Sequence, residues 1–145
     1  TPGVAPRADA DADGLPDSYE IEVYGGTNIV GSAAHGDTDG DGASDVAEYT
    51  AGTSATNANS KLTLNASILP NGAVVVQFQT QAINGPGYFG LGRRYNLEQT
   101  TQLGVPASWS VVPGYSGLPA TGEVITYTNA NTNAVWAARV RVSLE

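Results

Sequence analysis

The sequence has neither cysteine nor methionine, only one lysine and one histidine, and no long apolar run in its 145 residues. The absence of cysteine excludes a disulfide framework and any thiolate chemistry. No stretch is apolar enough for a membrane-spanning helix. Basic residues are too few and too scattered to form a dense patch, so we expect no nucleic-acid partner.

Acidic residues, by contrast, are abundant and unevenly placed. Residues 1–60 hold eleven of the fourteen acids and one base, whereas residues 61–145 hold three acids and five bases. This asymmetry predicts two modules, which we place at residues 1–58 and 59–145. Because the chain begins at Thr1 without a signal sequence, we expect a fragment of a larger bacterial protein that is secreted or on the cell surface.

The sharpest motif is the acidic stretch from Asp37 to Glu48. Carboxylates occupy positions 1, 3, 5, 9 and 12 of this stretch and Gly42 occupies position 6, which is the pattern of an EF-hand calcium loop. Alternate residues of a tightly curled loop point their oxygens at one centre, and glycine permits the sharp reversal. Position 9 is expected to contribute directly or through water. The predicted ligands are Asp37, Asp39, Asp41, the carbonyl of Ala43, Asp45 and Glu48.

The same pattern occurs once before, from Asp9 to Glu20, with Gly14 at position 6. Without a cation, the five carboxylates of such a loop would repel one another. We therefore predict two bound Ca²⁺ as cofactors, with a solvated acidic linker as the alternative. The predicted ligands of this first loop are Asp9, Asp11, Asp13, the carbonyl of Leu15, Asp17 and Glu20.

Each loop leads into a short predicted helix. Pro16 suits the first turn of the first helix, and Gly25 ends it after Tyr24, with Ile21 and Tyr24 expected on one apolar face. A helix this short is not stable alone, so packing and bound metal are expected to supply its stability.

The second helix is predicted near residues 44–51, beyond an irregular crossing at 27–36. Gly52 ends this helix, and Val46 and Tyr49 form its apolar face. We expect the two helices to pack face to face.

The two loops resemble the calcium repeats of thrombospondin type 3 and, at greater distance, those of dockerins. Residues 13–20 (DGLPDSYE) and 39–53 (DGDGASDVAEYTAGT) carry the likeness. The family often continues Gly-Thr-Asp-Pro, whereas residues 52–55 read Gly-Thr-Ser-Ala. The resemblance implies a tandem calcium repeat that precedes a β-module in a large secreted bacterial protein. A dockerin would imply a cohesin partner, for which we see no paired recognition residues.

From residue 61 the apolar residues recur with a period of two, which is typical of strands. Six or seven antiparallel strands in this length predict a β-sandwich. The expected fold is mainly β: a small calcium-loop and short-helix module followed by an antiparallel β-sandwich. Predicted strands are 61–68, 74–80, 94–99, 108–112, 123–128 and 136–144, with a hairpin turn at 70–72.

The second module resembles the fibronectin type III-like modules that follow such calcium repeats. The likeness rests on residues 94–98, 108–110 and 138–142. It implies the same sandwich architecture that the alternation predicts.

The alternation also sorts the aromatic residues. Phe78, Tyr95 and Trp136 fall on core faces, and Trp109 is ambiguous with the core favoured. Other aromatics fall in glycine-rich loops, where they either bind a sugar or close the ends of the sandwich. The predicted carbohydrate-binding residues are Tyr88, Phe89, Arg93, Arg94 and Tyr115.

No catalytic residue is predicted. His35 has no partner in a recognisable motif, and Glu98 and Glu123 read as surface charges rather than a glycosidase pair. We therefore predict a noncatalytic, calcium-stabilised carbohydrate-binding module of a larger secreted polysaccharide-active protein. Its expected partners are an extracellular polysaccharide, for which the two arginines leave an anionic chain as an option, and a catalytic domain of the same parent chain. The alternative is a structural calcium-binding spacer, or a sorting or adhesion module, with no glycan ligand.

Overall fold

The structure is a computed structural model, and it describes residues 7–27, 36–104, 108–130 and 135–145. These residues contain two short helices and seven strands. Strands account for 29% and helices for 12%, so the mainly β prediction is confirmed. His35 and nearly all of the crossing predicted at 27–36 lie outside the described residues. The elements are α1 (Asp17–Tyr24), α2 (Asp45–Ala51), β1 (Asn65–Ile68), β2 (Val74–Gln79), β3 (Arg93–Thr100), β4 (Ser110–Val111), β5 (Leu118–Pro119), β6 (Val124–Asn129) and β7 (Ala137–Leu144).

The chain divides into two compact units. Unit 1 comprises residues 1–61, 82–93 and 144–145, and unit 2 comprises residues 62–81 and 94–143. This division corrects the boundary that we predicted between residues 58 and 59. The segment 82–93 belongs to unit 1 because its side chains pack against the helices, as described next.

Aromatic rings form the core of unit 1. The ring centroids of Tyr19 and Tyr49 lie 4.9 Å apart, and Tyr88 stacks on Tyr49 at 4.7 Å. The Tyr49 hydroxyl donates to the carbonyl of Gly87 at 2.6 Å, and the Tyr88 hydroxyl donates to the carbonyl of Tyr49 at 2.7 Å. The hydroxyls of Tyr49 and Tyr88 are thus satisfied inside the core, so these two rings are buried without leaving their polar groups unpaired.

Both helices end as predicted, but the apolar face expected for α1 is confirmed only for Tyr24, which packs against the core of unit 1, and is wrong for Ile21. Gly25 and Gly52 end the helices in the left-handed conformation. Ile21 is 57% exposed, because α1 instead turns Tyr19 and Val23 towards the core of unit 1. These two residues are four apart and therefore share one helical face.

The predicted face of α2 is confirmed. Tyr49 is buried, and Val46 packs against the same cluster. Ser44 precedes the helix, and its hydroxyl accepts a hydrogen bond from the backbone N–H of Ala47 at 3.3 Å. This contact satisfies one of the free N–H groups of the first turn.

Two antiparallel sheets make up most of unit 2. The first has the order β1-β2-β6, and in the second β3 pairs with β4, β5 and β7. Phe78 of β2 and Tyr95 of β3 are buried, with ring centroids 5.7 Å apart. Because the two sheets share one apolar core, the sandwich and the interior positions of these two rings are confirmed.

Some strand positions differ from the alternation. β1 is exposed along its whole length, and Ile68 is 76% exposed, whereas Leu62 and Leu64 before it pack on the core. Trp109, for which we favoured the core, is only half-buried and lies under the guanidinium of Arg139, 4.4 Å from it. β1 is an edge strand, and the Trp109 ring is covered by the guanidinium of Arg139, so both keep apolar atoms near solvent. Alternation of apolar residues in the sequence does not reveal either arrangement.

Neither helix of the described residues has the length and apolar character that crossing a membrane requires.

Candidate metal centres

Two clusters of carboxylates stand in unit 1, one in each acidic loop. Within each cluster, one oxygen from each of three aspartates lies within 4.8 Å of the other two, a spacing that can hold a metal ion. The sequence therefore located both clusters correctly. The members are Asp9, Asp11 and Asp13 in the first loop, and Asp37, Asp39 and Asp41 in the second.

Backbone N–H groups hold the first carboxylate of each loop. Asp37 accepts from Gly40, Asp41 and Gly42 at 2.8, 3.0 and 2.8 Å, and these donors lower the pKa of Asp37. Asp9 accepts in the same way from Asp13 and Gly14. This curl brings alternate residues to one side of the loop.

Position 6 is glycine in both loops for a backbone reason. Gly14 and Gly42 have φ angles of 97° and 95°, a region that side chains disfavour. In this conformation their N–H groups point back at the position-1 carboxylate, so the glycine and the carboxylate together close the curl.

Asp13 in the first loop and Asp39 in the second each accept a backbone hydrogen bond with one carboxylate oxygen. Oδ1 of Asp13 accepts from Leu15 at 2.9 Å, and Oδ1 of Asp39 accepts from Asp41 at 3.1 Å. The second oxygens, Oδ2 of Asp13 and of Asp39, are buried and have no hydrogen-bond partner in the described part of the chain. A buried carboxylate oxygen without a donor is costly, and a bound cation would satisfy it.

Leu15 and Ala43, the predicted carbonyl ligands, lie at matching places. The N–H of Ala43 donates to Asp41 at 2.7 Å, as that of Leu15 does to Asp13. In the second loop Lys61 is also near: its ammonium donates to the carbonyl of Asp41 at 2.8 Å and lies 3.4 Å from Oδ2 of that residue. The charge of the Lys61 ammonium reduces the repulsion among the carboxylates of the second loop.

The position-12 glutamates, Glu20 and Glu48, are buried in the first turns of α1 and α2. One oxygen of Glu48 accepts from the Thr53 hydroxyl at 3.3 Å, and the other is buried without a hydrogen-bond partner among the described residues. Burial, together with the charges of Asp39 and Asp41, raises the pKa of Glu48 to about 7. Glu48 is thus close enough to Asp39 and Asp41 for their charges to act on it, and it stands at the loop position where a closing ligand is expected.

The position-9 residue Asp45, predicted to bind the cation, has another role. Its Oδ1 accepts from the N–H of Thr38 at 2.8 Å, and its Oδ2 accepts from the hydroxyls of Thr38 and Tyr24 at 2.6 and 2.8 Å. Asp17 accepts from the N–H of Ala10 at the corresponding place. These aspartates fasten the end of each loop to its beginning, and neither belongs to its cluster. Direct ligation by Asp45 is therefore corrected, whereas a contribution through water stays a prediction.

The bond from Tyr24 also links the two loops. Tyr24 is the last residue of α1, the helix that follows the first loop, and Asp45 belongs to the second. The charge of Asp45 is among the causes that raise the pKa of Asp13, after burial and the neighbouring Asp11 and Asp9. Sequence spacing could not reveal this link, because it depends on how α1 packs.

The clustered side chains of both centres offer oxygen. Carboxylates and carbonyls suit hard cations, and neither histidine nor a sulfur ligand belongs to either cluster. One oxygen each of Asp13, Asp39 and Glu48 is buried away from solvent and lacks a hydrogen-bond donor in the described residues, and a bound cation would satisfy it. Each centre can therefore hold one metal ion.

The residues predicted to bind carbohydrate do not form one exposed surface within either unit. Tyr88 is 9% and Arg93 is 2% exposed, and Arg93 stacks on the Tyr88 ring and donates to the carbonyl of Thr50 at 2.7 Å. Only Phe89 of this set is mostly exposed, at 75%. Arg94 and Tyr115 belong to unit 2, and both are half-buried. The prediction is corrected for Tyr88 and Arg93, whose polar groups are used inside unit 1.

Comparison with protein-family models, curated proteins and solved structures finds no match.

The fourth position of each loop gives a matched pair of predictions. Ala12 has a φ angle of 59° and Gly40 one of 75°, so both lie in the left-handed region, where alanine is strained. No atom lies within 4 Å of a Cβ built on Gly40. We expect Ala12→Gly to strengthen cation binding by the first loop, and Gly40→Ala to weaken the second, each about two- to fivefold, or about 0.5–1 kcal/mol.

Calorimetric titration with Ca²⁺ checks this pair. Because one change adds a Cβ and the other removes one, a general loss of stability would move both in the same direction. Opposite shifts are therefore the diagnostic result. Equal shifts, or none, would contradict the shared loop geometry.

A second prediction concerns pH. The pKa of Glu48 is raised from 4.5 to about 7 in the cation-free fold. Its contribution to stability is therefore complete below about pH 4.5 and is lost as the pH rises towards 7. A cation must displace this proton, so the affinity of the second loop should rise from pH 6 to pH 8.

Titrations at several pH values in an Asp13→Asn background isolate the second loop. Glu48→Gln should remove the pH dependence and weaken binding. An affinity that stays constant between pH 6 and 8 would show that Glu48 does not face the cation.

Proposed function

We propose that this chain is a noncatalytic, calcium-stabilised module of a secreted protein. One observation carries the proposal. The two loops bring together matching sets of carboxylates, and buried oxygens in both sets have no hydrogen-bond donor in the described residues. A cation in each loop would supply the missing partner and cancel part of the local negative charge.

Calcium is the cation that these ligands favour. It accepts about six to eight oxygens in a flexible shell, whereas Mg²⁺ requires a smaller octahedron and keeps several waters. Each loop offers three clustered aspartates, a buried glutamate, and the carbonyl expected at position 7. The resemblance to thrombospondin type 3 repeats agrees with this choice.

Secretion is supported by the kind of site. Calcium modules that work outside cells bind with dissociation constants of about 10⁻⁴ to 10⁻³ M, where the cation is constantly supplied. A unit whose clustered carboxylates need a cation in each loop would be loaded where calcium is abundant. The expected partner on the same chain, a catalytic domain, belongs to this proposal as well.

The noncatalytic part of the proposal rests on the acids of unit 2. Glu98 is 7% exposed and accepts from Arg139 at 2.6 Å and from Arg141 at 3.5 Å. Both oxygens of Glu98 are thus engaged in charged contacts with arginines of β7. Glu123 is exposed, with Thr121 as its side-chain partner. These settings favour structural roles for both acids.

Two functions remain for such a module. One is a spacer or adhesion module that needs only calcium, and the metal centres alone support it. The other is carbohydrate binding. Because Tyr88 and Arg93 are buried, this function would need a site other than the residues first predicted. A polar cavity in unit 2 supports the second function.

Cation stoichiometry tests the metal proposal. The wild-type protein, freed of metal, should bind two Ca²⁺ in a calorimetric titration. Asp13→Asn and Asp39→Asn should each weaken one site at least tenfold, about 1.4 kcal/mol, because each change removes the charge on a buried oxygen. The two losses assign one site to each loop.

Glu123→Gln is the matched control, since it removes an exposed acid of unit 2. This variant should still bind two ions with unchanged affinity. Binding of fewer than two ions by the wild type, or equal losses in the control, would reject the paired centres.

A further inference from the structure

A polar cavity in unit 2 has no role in the metal centres. Its volume is about 450 Å³, within the range of small-molecule sites. It lies where the last residues of β3 meet β6 and the chain before β7. The lining residues are Gln99, Thr100, Thr101, Gln102, Ser108, Ser110, Tyr127, Asn129 and Trp136.

The chemistry of this lining is uniform. No lining side chain carries a charge at neutral pH, and nearly all offer an amide or a hydroxyl, groups that both donate and accept hydrogen bonds. A phosphate or carboxylate ligand would lack a counter-charge here, and a metal ion would lack a carboxylate. The lining instead suits an uncharged ligand with many hydroxyl groups.

Two half-buried rings provide the apolar part of the cavity. The centroids of Tyr127 and Trp136 lie 6.2 Å apart, and their planes are inclined by 35°. The indole N–H of Trp136 donates to Oε1 of Gln99 at 3.0 Å, which fixes the ring and turns the Gln99 amide. A ring fixed in this way can present its face to the C–H groups of a ligand at little cost in side-chain entropy.

Several polar groups of the lining remain available for a ligand. The Tyr127 hydroxyl, the Gln99 side-chain nitrogen and the Ser110 hydroxyl have no hydrogen-bond partner among the residues that the structure describes. They come from β6, β3 and β4, so they surround the cavity rather than line one edge. Convergent donors and acceptors beside aromatic rings are what an uncharged sugar requires.

We propose that this cavity binds a neutral saccharide. The proposal deepens the carbohydrate-binding form of the proposed function and replaces its first set of residues. It does not depend on the loops for its contacts, because every lining residue belongs to unit 2. Its failure would leave the calcium titrations unaffected, and so the two proposals can fail separately.

The two tryptophans of the chain give the experiment an internal control. Trp136 lines the cavity, whereas Trp109 lies under Arg139 and does not. In ¹H–¹⁵N spectra of the intact calcium-loaded protein, cellohexaose, mannohexaose and xylohexaose are added in turn up to millimolar concentration. We expect at least one of them to move the Trp136 indole signal in a saturable manner and to leave the Trp109 signal in place.

Matched variants locate the binding. Trp136→Phe and Tyr127→Phe should each weaken binding at least fivefold, whereas Trp109→Phe should leave it unchanged. Tyr127→Phe removes only a hydroxyl, so it decides the question if Trp136→Phe does not fold. A charged oligogalacturonate should bind more weakly than the neutral chains.

Three results would overturn the proposal. In the first, none of the neutral oligosaccharides moves the Trp136 signal. In the second, Tyr127→Phe binds as tightly as the wild type. In the third, the charged oligosaccharide binds tighter than every neutral one.

Discussion

Repulsion among ten carboxylates in two short loops is the constraint on which unit 1 depends. Hydrogen bonds from the backbone offset part of this repulsion, since N–H groups donate to the first carboxylate of each loop and the N–H of Thr38 donates to Asp45. These donors fix the direction of each carboxylate but leave the net charge in place. One oxygen each of Asp13, Asp39 and Glu48 stays buried without a donor in the described residues, and a cation in each loop would satisfy them.

The helices and the tyrosine core follow from the same constraint. α1 and α2 are too short to be stable alone, and each begins inside an acidic loop and carries the glutamate at position 12 of that loop. Tyr19, Tyr49 and Tyr88 pack these helices together, and Tyr24 joins α1 to the aspartate of the other loop. Closure of one loop therefore supports the other, which gives unit 1 a reason to hold two loops rather than one.

Local rules predicted much of this from the sequence. The loop positions, the glycines that end the helices, and the buried Phe78 and Tyr95 all follow from spacing that acts over a few residues. Packing between distant segments decided the rest. Tyr88 stands in a glycine-rich loop that looks exposed in sequence, yet its ring stacks on Tyr49, 39 positions away, and its hydroxyl donates to the Tyr49 carbonyl. The cavity residues come from the ends of several strands, which no local pattern brings together.

Amide hydrogen exchange with and without calcium tests the central claim most directly, because it reports each helix and strand separately. We predict that removal of calcium by a chelator lowers the protection of the α1 and α2 amides by several orders of magnitude, while β2, β3 and β6 keep theirs. Equal protection of α1 and α2 in chelator and in calcium would contradict the claim that cations hold unit 1 together.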